Sequence, residues 1–339
     1  MPVLQSEHMP SSPAAGEFAD TILRTQLLER RQRLESAITR HDQPGHLVDL
    51  LAQVDAALDR MHDGTYGICK ACHEPIELER LVSNPLTELC LSHLSPAEQR
   101  ALERDLEMAA QIQGALLPKR KLASGAWEIH YHYQPAGLVS GDYCDLVESA
   151  GGDLFFLFGD VAGKGVAASM LTAHLHAMFR ALIASELPLS EVVQRSNALF
   201  CESTMPSSYA TLVCGRAEPG GGLEILNAGH CPPLVATPSG IQTIEATGLP
   251  LGLFCNSEYA LRRMSLGPGD TLLLYTDGVS EARNSANAEY GAARLARLAA
   301  AQRHLAADEL MHACLEDLRA FRGGASQADD ITLMVVRRN

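Results

Sequence analysis

Gly159-Asp160-Val161-Ala162-Gly163-Lys164-Gly165 follows the apolar run Asp153–Phe158 and precedes a long helical pattern, Val166–Ala184. A strand, a Gly-rich turn bearing a carboxylate and a helix are thus set in one line. Three more segments place an Asp beside a strand-like run: Ser140-Gly141-Asp142-Tyr143-Cys144-Asp145, Tyr275-Thr276-Asp277-Gly278-Val279 and Asp329-Asp330-Ile331-Thr332. A single Asp next to Gly is ordinary turn chemistry, because its side chain bonds the local backbone and tolerates unusual dihedrals. Four such carboxylates, spread over the second half of the chain, suit hard divalent cations that take oxygen ligands. The pattern points to a metal-dependent hydrolase.

The segments around the quartet read as a mixed domain from about Ala123. Strand patterns fall at Trp127–Tyr133, Asp153–Phe158, Tyr209–Cys214, Leu223–Leu226, Leu234–Ala236, Ile241–Ile244, Thr271–Tyr275 and Ile331–Val336. Helical patterns fall at Val166–Ala184, Leu189–Cys201, Tyr290–Ala300 and Ala306–Phe321. Strands outnumber crossover helices, so the expectation is an α+β fold with antiparallel sheets flanked by helices.

The 339 residues carry 27 Lys and Arg against 41 Asp and Glu, a net charge of −14. Residues 1–120 hold 12 of the basic and 18 of the acidic groups, so neither half is a basic patch and direct nucleic-acid or membrane-surface binding is not expected. No apolar stretch reads as a membrane span and no signal-like segment opens the chain, which leaves a cytoplasmic location as the expectation. Of nine cysteines, Cys144, Cys201, Cys214, Cys231, Cys255 and Cys314 are scattered and read as free thiols among apolar neighbours.

Upstream, residues 1–16 read as a disordered tail. A helical pattern from Glu17 runs through Phe18, Ile22, Leu27, Leu34 and Ile38, breaks at His41-Asp42-Gln43-Pro44-Gly45, and resumes from Leu47 to Met61, predicting a helical hairpin. Cys69-Lys70-Ala71-Cys72 is followed after seventeen residues by Cys90-Leu91-Ser92-His93. Two close pairs of soft ligands match a closed tetrahedral site for one structural Zn²⁺, with Cys69, Cys72, Cys90 and His93 as ligands. His73 is an alternative fourth ligand; the more even spacing favours His93.

The run Ala57-Leu58-Asp59-Arg60-Met61, Gly64-Thr65-Tyr66-Gly67-Ile68-Cys69, Cys72, Pro75-Ile76, Arg80-Leu81, Pro85 and Cys90 resembles the zinc finger of the DksA/TraR family and the helix leading into it. The last ligand is His93 where that family usually has Cys, and the hairpin tip lacks the family's acidic residues. Residues 17–94 are therefore read as a hairpin plus zinc finger, and 95–120 as a linker. In the linker, a helix from Pro96 to Leu117 carries the apolar stripe Leu102, Leu106, Ala109, Ile112 and Leu116, which packs on its own domain or pairs two copies as a homodimer.

Gly163-Lys164-Gly165 before a helix lacks the spacing of a nucleotide-binding phosphate loop. The turn still offers backbone N–H groups and Lys164 to a substrate phosphate. Asn227-Ala228-Gly229-His230-Cys231-Pro232-Pro233 reads as a hairpin with His230 bonded locally, not as a metal ligand.

In chain order, Glu107-Met108-Ala109-Ala110-Gln111-Ile112-Gln113 with Leu116-Leu117-Pro118, Val139–Tyr143, Gly159–Gly165, Tyr209-Ala210-Thr211, Asn227–His230, Gly248-Leu249-Pro250-Leu251-Gly252, Pro268-Gly269-Asp270, Tyr275–Val279 with Glu281-Ala282-Arg283, and Asp329–Thr332 resemble the SpoIIE/RsbU-type serine phosphatases of the PPM family. For residues 121–339 the resemblance implies an α/β/β/α sandwich of two antiparallel sheets and a centre of two Mn²⁺ or Mg²⁺ ions. It implies metal ligation by Asp142, Asp160, the carbonyl of Val161, Asp277 and Asp329, with Asp330 in support. Ala162 stands where the eukaryotic branch carries a His proposed as general acid, so the proton donor is unassigned. The implied function is a protein serine/threonine phosphatase acting on a phosphorylated STAS-fold anti-sigma-factor antagonist in a bacterial partner-switching pathway, regulated by the zinc-finger region. The alternative is an inactive binding module that docks on RNA polymerase or another partner through its finger and hairpin. Four mutually repelling carboxylates argue against a dead domain.

Overall fold

Leucines at three- and four-residue spacing pair the first two helices. In the computed structural model, which describes residues 13–40, 45–94, 96–149 and 151–339, α1 (Pro13–Ile38) and α2 (Gly45–His62) pack through Leu27, Leu34, Val54 and Ala57. Helix α1 begins inside the stretch expected as a disordered tail, and the hairpin tip at His41–Pro44 lies outside the described residues. Below the hairpin, α3 (Leu78–Ser83) and a 3-10 turn at Leu91–His93 enclose a small core of Leu23, Cys69, Ile76, Leu81 and Cys90. The chain divides into two units, Met1–Glu103 and Arg104–Asn339, and α4 (Pro96–Leu116) runs from one into the other. On α4 the expected apolar stripe is unevenly covered, with Leu102 and Ile112 exposed and Leu106, Ala109 and Leu116 half-buried, while the polar Gln113 is buried.

The second unit proceeds through β1 (Lys121–Ser124), β2 (Trp127–Gln134), β3 (Asp142–Glu148), β4 (Leu154–Val161), α5 (Gly165–Ile183) and α6 (Leu189–Ser203). There follow β5 (Ala210–Ala217), β6 (Gly222–Ala228), β7 (Leu234–Thr237), β8 (Gly240–Thr243), β9 (Arg262–Ser265), β10 (Thr271–Tyr275), α7 (Asp277–Ser280), α8 (Ala292–Ala301), α9 (Ala307–Arg322) and β11 (Ile331–Arg338). Two sheets form, in the orders β1-β2-β11-β10-β7-β8 and β3-β4-β5-β6-β9, with every pairing antiparallel.

Three apolar layers explain the stacking. Between the sheets lie Trp127, Ile129, Phe156, Phe158, Val213, Leu272, Leu274 and Met334. Outside the five-stranded sheet, Leu157, Leu212 and Cys214 meet Leu175 and Phe179 of α5 and Val192 and Phe200 of α6. Outside the six-stranded sheet, Leu273, Leu333 and Val335 meet Leu295 of α8 and Leu310 and Leu318 of α9. Each such side chain taken fully out of water contributes about 1.5–3 kcal/mol, and the three layers give the α/β/β/α order that the family resemblance implied.

Three features depart from expectation. Helix α5 is, by length and composition, the one helix among the described residues apolar enough to span a bilayer, yet its Leu175, Phe179 and Ile183 are core residues of the second unit. Strand β3 opens at Asp142, where a turn was expected. Cys201 and Cys255, expected as free thiols, are joined in a disulfide, whereas Cys144, Cys214 and Cys314 are free and buried as expected.

Candidate metal centre

Each sheet delivers two of the four carboxylates. On one sheet Asp142, the first residue of β3, stands directly across the ladder from Asp160 near the end of β4. On the other, β10 runs out through Thr276 into Asp277 at the start of α7, and Asp329-Asp330 lead into its neighbour β11. Gly278 packs on the backbone of Asp330, so the two Asp-bearing turns are in contact.

Gly141 marks the space between. A Cβ added there would meet the Asp160 Oδ1 and the Val161 carbonyl oxygen at 3.0 Å each. A carboxylate oxygen and a backbone carbonyl therefore face one gap that only glycine leaves open, and that oxygen-only donor set fits Mg²⁺ or Mn²⁺. The electrostatics agree. Burial, then the charges of Asp277, Asp329 and Asp330, push the Asp160 carboxyl up to about 7. Burial and Asp329 raise Asp277 as well. Asp142 is raised too, by near-complete burial, with the Thr332 hydroxyl opposing and Asp160 and Asp330 adding to it.

The quartet is not uniformly open. The Asp142 Oδ2 accepts hydrogen bonds from the hydroxyls of Thr332 and, at 3.1 Å, Thr276. Lys164 Nζ lies 2.9 Å from Asp329 Oδ2, so the lysine expected at a substrate phosphate is paired with a carboxylate of the quartet. Asp330 is fully engaged: its Oδ1 accepts from the Ala136 N–H at 2.7 Å, and its Oδ2 from the Ser140 hydroxyl at 2.6 Å and the Gly141 N–H at 3.0 Å. That carboxylate ties the β2–β3 loop in place. His230 is buried, its Nδ1 2.8 Å from the Thr211 hydroxyl and its turn closed by Asn227, and desolvation lowers its pKa to about 4.

Gln113 stood in the sequence only as the last residue of a motif, with no role assigned to it. Its amide accepts from the Ser140 N–H at 3.0 Å and donates to the Ser140 carbonyl at 2.8 Å and the Thr172 hydroxyl at 3.0 Å. Since the Ser140 hydroxyl in turn holds Asp330 and accepts from the Asp142 N–H, α4 is linked to the acidic centre through one buried side chain. Two arginines were missed as site residues. A cavity of about 180 Å³ beside Asp277 and Asp329 is lined by Arg283, Arg322 and Gln327, and one of about 290 Å³ beside Asp160 and Asp277 by Ala162, Tyr209, Thr211 and His230. Arg283 was visible only as part of a motif, and Arg322, at the end of α9, carried no signal.

In the first unit, the donor atoms of Cys69, Cys72, Cys90 and His93 lie within 4.8 Å of one another. Cys72 Sγ is 3.7 Å from Cys90 Sγ, which is 3.2 Å from His93 Nδ1. Burial opposes ionisation of Cys69, but hydrogen bonds from the backbone of Cys90, Cys72 and Ala71 outweigh it and hold the thiol at about 6. The S₃N donor set suits zinc. His73 lies outside the group; in left-handed backbone (φ 59°), it bonds its N–H to the Cys69 carbonyl and closes the knuckle.

The stage II sporulation protein E (SpoIIE) family profile matches residues 150–339, and the chain belongs to that family. The prokaryotic dksA/traR C4-type zinc finger matches residues 64–92. Protein IcfG of Synechocystis sp. is 29% identical over 264 residues, covering 69% of this chain but 42% of IcfG, so the chain spans less than half of that relative. The phosphoserine phosphatase RsbU of Bacillus subtilis is 25% identical over 243 residues, 71% of this chain and 72% of RsbU. The SiaA-PP2C domain of Pseudomonas aeruginosa shares the fold, with a TM-score of 0.64 at 21% identity over 72% of this chain and 100% of that domain.

Proposed function

We propose that the chain is a metal-dependent phosphoprotein phosphatase acting on phosphoserine or phosphothreonine in the cytoplasm. Its substrate would be a STAS-fold anti-sigma-factor antagonist of a partner-switching circuit. The observation that carries this reading is the gap before Gly141, faced by the Asp160 carboxylate and the Val161 carbonyl. Asp142, Asp160, the Val161 carbonyl, Asp277 and Asp329 would hold two Mn²⁺ or Mg²⁺ ions, with Asp330 orienting the loop behind them. Cations bound there would supply charge neutralisation and a water acidic enough to give hydroxide at neutral pH. Arg283 and Arg322 line the adjoining cavity and would grip phosphate oxygens through charge-assisted hydrogen bonds. Lys164, at Asp329, would add a third cation at the same rim.

Cys69, Cys72, Cys90 and His93 would hold one structural Zn²⁺, and the zinc-binding region would be the regulatory input. Exposed Leu102, Met108 and Ile112 on α4 support pairing of two copies through the linker. The deciding experiment is Mn²⁺-dependent hydrolysis of p-nitrophenyl phosphate and a phosphoserine peptide by the full chain, compared with Asp160→Asn and Asp277→Asn. Activity confined to the unsubstituted protein supports the reading; a silent wild type indistinguishable from both variants removes it.

A further inference from the structure

Cys201 closes the last turns of α6, and Cys255 sits in the long loop between β8 and β9, 54 residues further on. Their Cα atoms are 5.7 Å apart, within the range a disulfide spans without backbone movement. Cys255 is exposed and Cys201 half-buried, so a small oxidant or reductant reaches the pair. Their surroundings explain why the two approach. The buried Asn197 of α6 accepts from the Gly252 N–H at 2.9 Å and donates to the carbonyls of Phe254 and Cys255 at 2.9 and 3.1 Å, which lays the loop along the helix. The loop then exchanges two backbone hydrogen bonds between Leu251 and Ala210, at 2.8 and 2.9 Å. Ala210 is the ladder partner of Val161, and the neighbouring Tyr209 accepts from the Ala162 N–H at 2.9 Å while lining the cavity beside Asp160.

We infer that Cys201 and Cys255 form a reversible redox site that fastens this cavity wall. Surface-accessible disulfides are the labile ones, whereas those built for permanence are shielded. The chemistry is thiol–disulfide exchange with a low-molecular-weight disulfide. The exposed Cys255 thiolate attacks one sulfur of that disulfide, forming a mixed disulfide and releasing one thiol. The Cys201 thiolate then attacks the Cys255 sulfur, closing the protein bond and releasing the second thiol. The protein dithiol is oxidised by two electrons and the small disulfide is reduced to two thiols; excess thiol runs the sequence backwards. Joined, the loop is held to α6 by a covalent bond in addition to Asn197; reduced, it relies on Asn197 and the Leu251–Ala210 pair.

The test equilibrates the full chain in glutathione buffers of graded reduced-to-oxidised ratio, traps thiols by acid and alkylation, and maps peptides by mass spectrometry. Hydrogen exchange of residues 248–256 is measured on the same samples. The expected result is a linked 201–255 peptide that rises and falls with the ratio, and loop exchange about tenfold faster when reduced, as for a local opening that has lost one restraint. Cys255→Ser should exchange like the reduced wild type at every ratio. Should that variant misfold, the oxidised and reduced wild type still give the comparison. A pair that stays fully reduced or fully linked across the series overturns the inference, as does a linked form whose loop exchanges like the reduced one.

Discussion

Gly278 and the carbonyl oxygen of Asp330 lie so close that a Cβ built on the glycine would stand 1.9 Å from that oxygen. The two Asp-bearing turns therefore meet backbone to backbone. In Gly278→Ala one of them has to move, and forcing a methyl into a packed contact costs about 1–3 kcal/mol. The expected outcome is a melting temperature lower by several degrees, with metal-dependent phosphatase activity falling further than the loss of fold explains. Calorimetry and an assay at a temperature where both proteins are folded check this.

Gln113→Ala should leave the Ser140 N–H and carbonyl, both buried, without partners. Unsatisfied buried groups cost about 1–3 kcal/mol, so denaturant unfolding of the second unit should shift by that amount. Gln113→Glu keeps the acceptor for the Ser140 N–H and removes the donor to its carbonyl. It is expected to fall between wild type and the alanine variant.

Asp145 gives a pH dependence of known sign. Burial works to raise its pKa, but bidentate pairing with Arg180, at 2.8 and 2.9 Å, and His176 outweigh that and hold it below the ordinary 3.8. A carboxyl lowered on folding stabilises the native state at neutral pH, and the contribution disappears as pH falls past the unfolded value toward the folded one. Arg180→Ala should therefore cost about 1.5–3 kcal/mol at pH 7, the range for hydrogen bonds to a charged group, with water at the half-exposed arginine favouring the lower figure. The difference between variant and wild type should shrink below about pH 4, where protonation makes the lost partner irrelevant. Urea melts at several pH values measure it.

Zinc content separates the finger's ligands. Purified protein should carry one zinc per chain; His93→Cys should keep it and His93→Ala should lose it more readily to a chelator, whereas His73→Ala should leave it unchanged. Elemental analysis after dialysis gives the ratios. Chelation should unfold the region around Leu23, Ile76 and Leu81, whose small core includes two of the proposed ligands, Cys69 and Cys90.

Arg322→Ala should raise KM for a phosphorylated substrate more than it lowers kcat, because the side chain lines the cavity beside Asp277 and Asp329 and is not itself one of the carboxylates. Steady-state kinetics with Mn²⁺ at saturation read the split. An unchanged KM would place phosphate on the other side of Asp277.

Most of the fold was legible, since motifs such as Tyr275–Val279 and Asp329–Thr332 each join a strand to a turn residue with a physical task. Strand β3 was not, because a strand buried on both faces loses the alternation that reveals strands, and the first five residues of Asp142–Glu148 are all buried. Edge strands β1 and β9, Lys121–Ser124 and Arg262–Ser265, are rich in charged and polar residues and bury none fully, so no apolar run marks them. On α4 the apolar residues drew attention while the polar Gln113 holds the buried contact, a case where a hydrogen-bonding need outranks the hydrophobic stripe. The Cys201–Cys255 bond and Arg322 depend on approaches between distant segments that no local pattern announces.

Because Asp142 and Asp160 ride on one sheet and Asp277 and Asp329 on the other, the acidic centre works as a caliper laid across the sandwich. Its jaws are set by Phe156, Phe158, Leu274 and Met334 in the layer between. A methylene gained or lost in that interior would reset the opening of the jaws from within, so the grip on whatever the carboxylates hold is written as much in the aliphatic and aromatic filling as in the charges themselves.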